Sequence, residues 1–172
     1  MFLKYFRTFS AKRVLKKSSV NVNSAVSNKL IQTVGVLIDE TIFDKKETLF
    51  QLLVENGFKP ENISVLAYKT TYKKKEKIDY PHYSKKDISW IGSIENKNAK
   101  EFKSMPFDLL ISYYDTMKTP LEIVTYNSLG EFKVGFASSN KQLNHFMIDT
   151  QVENCTVFVD ELVKYLRILN KL

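Results

Sequence analysis

After residue 32 the chain alternates short apolar runs with stretches of helical spacing. Thr33–Asp39 (TVGVLID) is β-branched and almost entirely apolar, the pattern of a strand covered on both faces. Over Lys45–Asn56 the residues Leu49, Leu52, Leu53 and Val54 fall on or near one helical face, with Gly57 placed to stop the helix. Ile63–Tyr68 (ISVLAY) is a second strand. Strand, helix and strand in this order make a βαβ unit, which implies parallel pairing through a right-handed crossover.

The lysine-rich stretch Lys69–Lys86, with Pro81 and tyrosines at 72, 80 and 83, breaks this pattern and reads as a long exposed loop or a ragged hairpin. Ile88–Ile94 (ISWIGSI) reads as a third strand at a sheet edge, interrupted by Gly92. A short helix is expected over Lys97–Met105 and a strongly apolar fourth strand over Phe107–Tyr114. Pro120–Asn127 suits a helix with proline in its first turn. Phe132–Ala137 and His145–Asp149 are the last strands, and Val157–Leu169 is the last helix. The succession predicts an α/β fold: an open, mostly parallel, Rossmann-like sheet with helices on both faces.

The first 29 residues follow a different pattern. In Met1–Phe9 the aromatic residues Phe2, Tyr5, Phe6 and Phe9 share one arc of a helical wheel, with Lys4, Arg7 and Thr8 opposite. Ser18–Ser27 (SSVNVNSAVS) has the small, polar composition of a linker. The domain reading is a basic arm and linker over residues 1–29 and a single α/β domain over 30–172, consistent with a chain of 172 residues.

Charge reinforces that boundary. Residues 1–38 contain Lys4, Arg7, Lys12, Arg13, Lys16, Lys17 and Lys29 and no Asp or Glu, whereas residues 39–172 contain 19 basic and 19 acidic side chains. The net charge of +7 therefore belongs to the arm. Attraction to phosphate, in RNA or in lipid head groups, is expected to concentrate there. The single cysteine, Cys155, excludes an internal disulfide and a Cys-based zinc site. No run approaches the length of a membrane span, and no apolar core of a secretory signal follows Met1. A basic, Ser-containing, acid-free start also matches a mitochondrial presequence, so the matrix is the alternative to a cytoplasmic location.

Ligands of open α/β sheets bind outside the carboxyl ends of the strands. The side chains expected there make a candidate pocket of Asp39, Tyr114, Asp115 and His145, able in principle to bind a cation or to work as acid and base. Strands also end in polar residues simply because they emerge into water. A phosphate-cradling loop is excluded: Asp39-Glu40-Thr41-Ile42 follows the first strand where glycines would be needed. No cofactor and no metal site is expected. His145 reads as a hydrogen-bonded structural residue, His82 as solvated and Cys155 as a small buried residue. Lys73, Lys74 and Lys75, among tyrosines, form a second surface that can pair phosphates while a ring stacks on an unpaired base.

Six segments carry a family resemblance: Thr33–Glu40, Lys86–Trp90, Phe107–Asp115, Phe132–Phe136, Leu143–Ile148 and Lys164–Lys171. On these the chain resembles an uncharacterised family of small bacterial α/β proteins, known as a domain of unknown function. The resemblance implies a bacterial cytosolic protein and no particular activity. The functional expectation is a non-catalytic protein that docks on an RNA-rich assembly such as the ribosome, through Lys4, Arg7, Lys12, Arg13, Lys16 and Lys17, without DNA sequence specificity. The alternatives are a small-molecule binder or enzyme at the strand carboxyl ends, and a peripheral protein held on an anionic membrane by the amphipathic N-terminus.

Overall fold

The computed structural model describes residues 29–72, 78–89 and 92–172. Its strands are β1 (Val34–Asp39), β2 (Ile63–Lys69), β3 (His82–Ser84), β4 (Leu109–Tyr113), β5 (Phe132–Phe136) and β6 (Phe146–Ile148). Its helices are α1 (Lys46–Glu55), α2 (Lys97–Ser104), α3 (Thr119–Asn127) and α4 (Cys155–Ile168). The six strands form one sheet in the order β3-β2-β1-β4-β5-β6, with every pairing parallel. This is an open Rossmann-like α/β sheet, and its winding direction reverses between β1 and β4.

All six residues of β1 and all five of β4 and β5 are buried. Alternation along each strand sorts them onto two cores. Val34, Val36, Ile38, Leu109, Ile111, Tyr113, Val134 and Phe136 pack with Leu49 and Leu53 of α1 and with Phe158, Val159 and Leu162 of α4. Leu37, Leu66, Tyr68, Tyr83, Leu110 and Tyr114 face the other way, onto Ala99 and Phe102 of α2 and Leu121 and Val124 of α3. Helix α1 stops where expected, at Gly57 with φ of 100°.

Two expectations fail around the third strand. The strand lies inside the stretch read as a loop: His82–Ser84 pairs with Ala67–Lys69, Tyr83 is fully buried against Tyr68, and a 3₁₀ turn covers Lys85–Asp87. None of the described residues of the stretch Ile88–Ile94 belongs to a strand of the sheet. Ile88 and Ile94 make one antiparallel bridge, the Ser89 N–H donates to the Ser93 carbonyl, and Gly92 at φ 85° turns the chain back. Both isoleucines are buried, and this produced the strand-like pattern.

Candidate functional site

The reversal between β1 and β4 makes their carboxyl ends the place where this fold ordinarily receives ligands. Asp39 ends β1 with its side chain fully buried, and Tyr114 follows β4 at the same level of the sheet. The Asp39 carboxylate accepts hydrogen bonds from the Lys118 ammonium on Oδ2 and from the Thr41 N–H, 3.0 Å, on Oδ1. Lys118 immediately precedes α3, so this ion pair ties the loop after β1 to the loop after β4 across the crevice. Glu40 is held in the same manner. Its Oε1 accepts from Lys46 Nζ at 2.9 Å and its Oε2 from the Tyr80 hydroxyl at 2.9 Å, while Lys46 sits 3.3 Å from the Tyr80 ring centroid. Partial burial opposes the charge on Lys46, but the Glu40 and Tyr80 oxygens outweigh it and raise its pKa. Burial, and after it the neighbouring Glu40, raises the Tyr80 phenol.

Asp39, Tyr114 and Asp115 are therefore neighbours, as expected, but they do not gather around one reacting position. The Tyr114 hydroxyl points under α3 and shares a 2.8 Å hydrogen bond with Thr125, and burial raises its pKa. The half-buried Asp115 accepts from its neighbour Thr116 at 2.9 Å. His145 is a correction to the candidate pocket, because it lies before β6 at the amino edge of the sheet. Its backbone N–H donates to the Lys133 carbonyl, in register with Leu110 and Gly35. Four residues along the sheet and three strands across it separate His145 from Asp39 by about 20 Å.

His145 is structural at that position. Its Nδ1 accepts from the Lys133 N–H at 2.9 Å, and its ring stacks on Phe132. Burial first, then the Lys133 and Lys171 charges, lowers its pKa and holds it neutral. Cys155 is buried at the start of α4, the position expected of it. His82 is half-buried rather than solvated, with Nδ1 2.9 Å from the Tyr80 carbonyl oxygen and its ring edge-on to Tyr72. Lys4, Arg7, Lys12, Arg13, Lys16, Lys17, Lys73, Lys74 and Lys75 lie outside the described residues. Among the described residues no group of three or more His, Cys, Asp or Glu side chains is placed to hold a metal ion. No described helix is long and apolar enough to cross a membrane.

Two charged residues within segments read as apolar strands, Lys133 and Asp108, escaped the sequence reading. Lys133, buried in β5, donates to the carbonyls of Thr125 at 2.6 Å and Ser128 at 2.9 Å, at the carboxyl end of α3. That helix end carries unsatisfied carbonyls and partial negative charge, so an ammonium suits it. Burial pulls Lys133 down to about 8, and at neutral pH it remains charged. Asp108, just before β4, gathers the chain entering β1. Its carboxylate accepts from Lys29 Nζ at 2.8 Å, from the Gln32 and Thr33 N–H groups at 2.9 Å each, and from the Thr33 hydroxyl at 3.0 Å. Burial acts to raise this carboxyl, but those four bonds outweigh it and hold the pKa at about 2. Asp108 thus fixes Lys29 and the residues that lead from it into β1. The signal for both was legible: a charge in an otherwise apolar strand requires a dedicated partner.

A model of the family of unknown function DUF6913 matches residues 5–169. The chain belongs to that family. No curated protein and no solved structure matches it. The DUF6913 match takes in the basic arm from Tyr5 onward together with the α/β body.

Proposed function

We propose that this protein is a non-catalytic α/β module that docks on an RNA-rich assembly, the ribosome among them, through its basic N-terminal arm. One observation carries the reading: residues 1–38 have seven basic side chains and no acid, while the remainder is balanced at 19 of each. Such a segment gains from releasing counterions when it meets a polyphosphate. Asp39 and Glu40 support this by being paired, with Lys118 and Lys46.

The test is a filter-binding salt titration of RNA with the full chain and with a chain lacking residues 1–28, which retains Lys29 and its bond to Asp108. The deletion removes six basic side chains, and the salt slope should shrink by up to about four, at roughly 0.7 per phosphate contact on a single strand. Equal binding and equal slope in the two proteins overturn the proposal. Flotation with anionic vesicles, run in parallel, assigns the arm to a membrane surface if only the vesicles retain it.

A further inference from the structure

Asn144 is 4% exposed, and among the described residues neither its Oδ1 nor its Nδ2 has a hydrogen-bond partner. A primary amide carries two N–H donors and an acceptor oxygen, and leaving all of them unmatched in a dry interior is costly. Folded proteins meet such groups with a protein partner or with a bound water.

The neighbours of the amide fix its place. Asn144 follows the 3₁₀ turn Lys141–Leu143 in the loop between β5 and β6. That loop lies against α3, where Asn140 Nδ2 donates to Glu122 Oε1 at 2.9 Å. The amide rests on Gly135, since a Cβ there would come within 2.6 Å of Nδ2 and 3.1 Å of Oδ1. Val134 and Phe136 on either side of Gly135 face α1 and α4, so the amide lies on the α3 side of the sheet. On β4 the residue in register with Gly135 is Ser112, which is fully buried. Its hydroxyl lies 3.1 Å from Thr125 Oγ1 on α3, and the Tyr114 hydroxyl lies 2.8 Å from the same oxygen. An unmatched amide and a cluster of buried hydroxyls thus stand at paired positions on adjacent strands, beneath one helix.

No direct bond joins the two groups. Paired positions on neighbouring strands are about 4.8 Å apart, too far for one hydrogen bond and the right span for two of about 2.8 Å meeting at an angle. The hydroxyls hold more lone pairs than protons, so they can accept from a further donor, and the amide can both donate and accept. We infer that one water molecule is bound between Asn144 and Ser112. It accepts from the Asn144 Nδ2–H, donates one proton to Oδ1 and donates the other to Ser112 Oγ. Three partners of this kind are typical of a buried water. The water fastens the loop after β5 to β4 and, through Thr125, to α3, alongside the direct bond from Asn140 to Glu122. An apolar guest would leave the same groups unpaired. The inference is independent of the arm and of RNA.

Crystals of the full chain that diffract well enough to show ordered water test it. Density for one water should lie within hydrogen-bonding distance of both Asn144 and Ser112. It should vanish in Asn144→Leu, which nearly keeps the size of the side chain and removes its polar atoms. In solution the Asn144 Hδ2 protons should give an NMR cross-peak at the water frequency, with the sign of a water held on the protein. That peak should persist in Ser112→Ala, because Asn144 supplies two of the three bonds, whereas a signal relayed by the serine hydroxyl would disappear. A map that shows other buried waters but none here, or that shows Asn144 bonded directly to a protein group, overturns the inference. So does a cross-peak that is absent, or one that is lost in Ser112→Ala. If Asn144→Leu does not fold, the unmodified chain alone decides the question.

Discussion

Asp108→Asn removes the charge that anchors the base of the arm, and its cost can be worked from the structure. Four hydrogen bonds hold the carboxylate at about 2 instead of 3.8, and its side chain is only 9% exposed. At 1.36 kcal/mol per pH unit this is about 2 kcal/mol of stability. The folded-state pKa is depressed, so the contribution is complete above the unfolded value near 4 and disappears as pH falls through about 2. The asparagine variant should therefore be about 2 kcal/mol less stable at pH 7, a fall in Tm on the order of 5 °C for a domain of this size. The difference between the two proteins should narrow as pH is lowered from 5 to 2. Lys29→Gln should cost less, because Lys29 is 59% exposed and Asp108 keeps its other three bonds. Urea denaturation of each protein between pH 2 and 7 measures this. A deficit under about 0.5 kcal/mol at pH 7, or one equally large at pH 2, refutes the reasoning.

Two further outcomes test the interior. Lys118→Met leaves the fully buried Asp39 without its cation and should destabilise the fold by about 3–5 kcal/mol, whereas adding Asp39→Asn should restore much of that; a double-mutant cycle in urea measures the coupling, and additive costs would show that the pair does not seal the crevice. A methyl at Gly135 would lie 2.6 Å from Asn144 Nδ2 and 2.9 Å from its Cγ. Gly135→Ala should therefore cost about 1–3 kcal/mol, and Asn144→Ala should relieve most of it, the more so because neither polar atom of the buried Asn144 side chain has a hydrogen-bond partner among the described residues; thermal melts in which the double variant is no better than Gly135→Ala refute this.

The sheet was legible where a strand is buried on both faces. β1, β4 and β5 are continuous apolar runs because helices cover both sides, and their limits differ from the expected ones by only a residue or two. β3 was not legible. It is three residues long, on an edge, with only Tyr83 directed into the core, too short to display a period of two. Ile88 and Ile94 misled for the opposite reason: two buried isoleucines had the spacing of a strand, while the turn at Gly92 reversed the chain between them. For the candidate site, strand ends correctly located Asp39, Tyr114 and Asp115. His145 was misplaced because it introduces a strand instead of ending one, and in a parallel sheet that puts it at the far edge. The anchoring roles of Lys133 and Asp108 depend on α3 carbonyls and on the chain entering β1, partners that no local pattern reveals.

The arrangement of charge in the body bears on what the protein can bind. The reversal point of an open α/β sheet offers a crevice whose occupant is usually anionic, received by glycine-rich backbone and a helix terminus. Here the loop after β1 brings two carboxylates to that place, and each is matched by a lysine from a neighbouring loop or helix start. An anion would have to displace Asp39 from Lys118 and leave a carboxylate without compensation, and a cation would have to displace the lysines. Either exchange carries the penalty of an unpaired buried charge, several kcal/mol. The two carboxylates and the two lysines at this place are thus engaged with one another. Asp108, at the opposite edge, spends its carboxylate on fixing the exit of the arm. Under the proposed function, attraction to a polyanion falls to the segment that carries six basic side chains and no acid before Lys29.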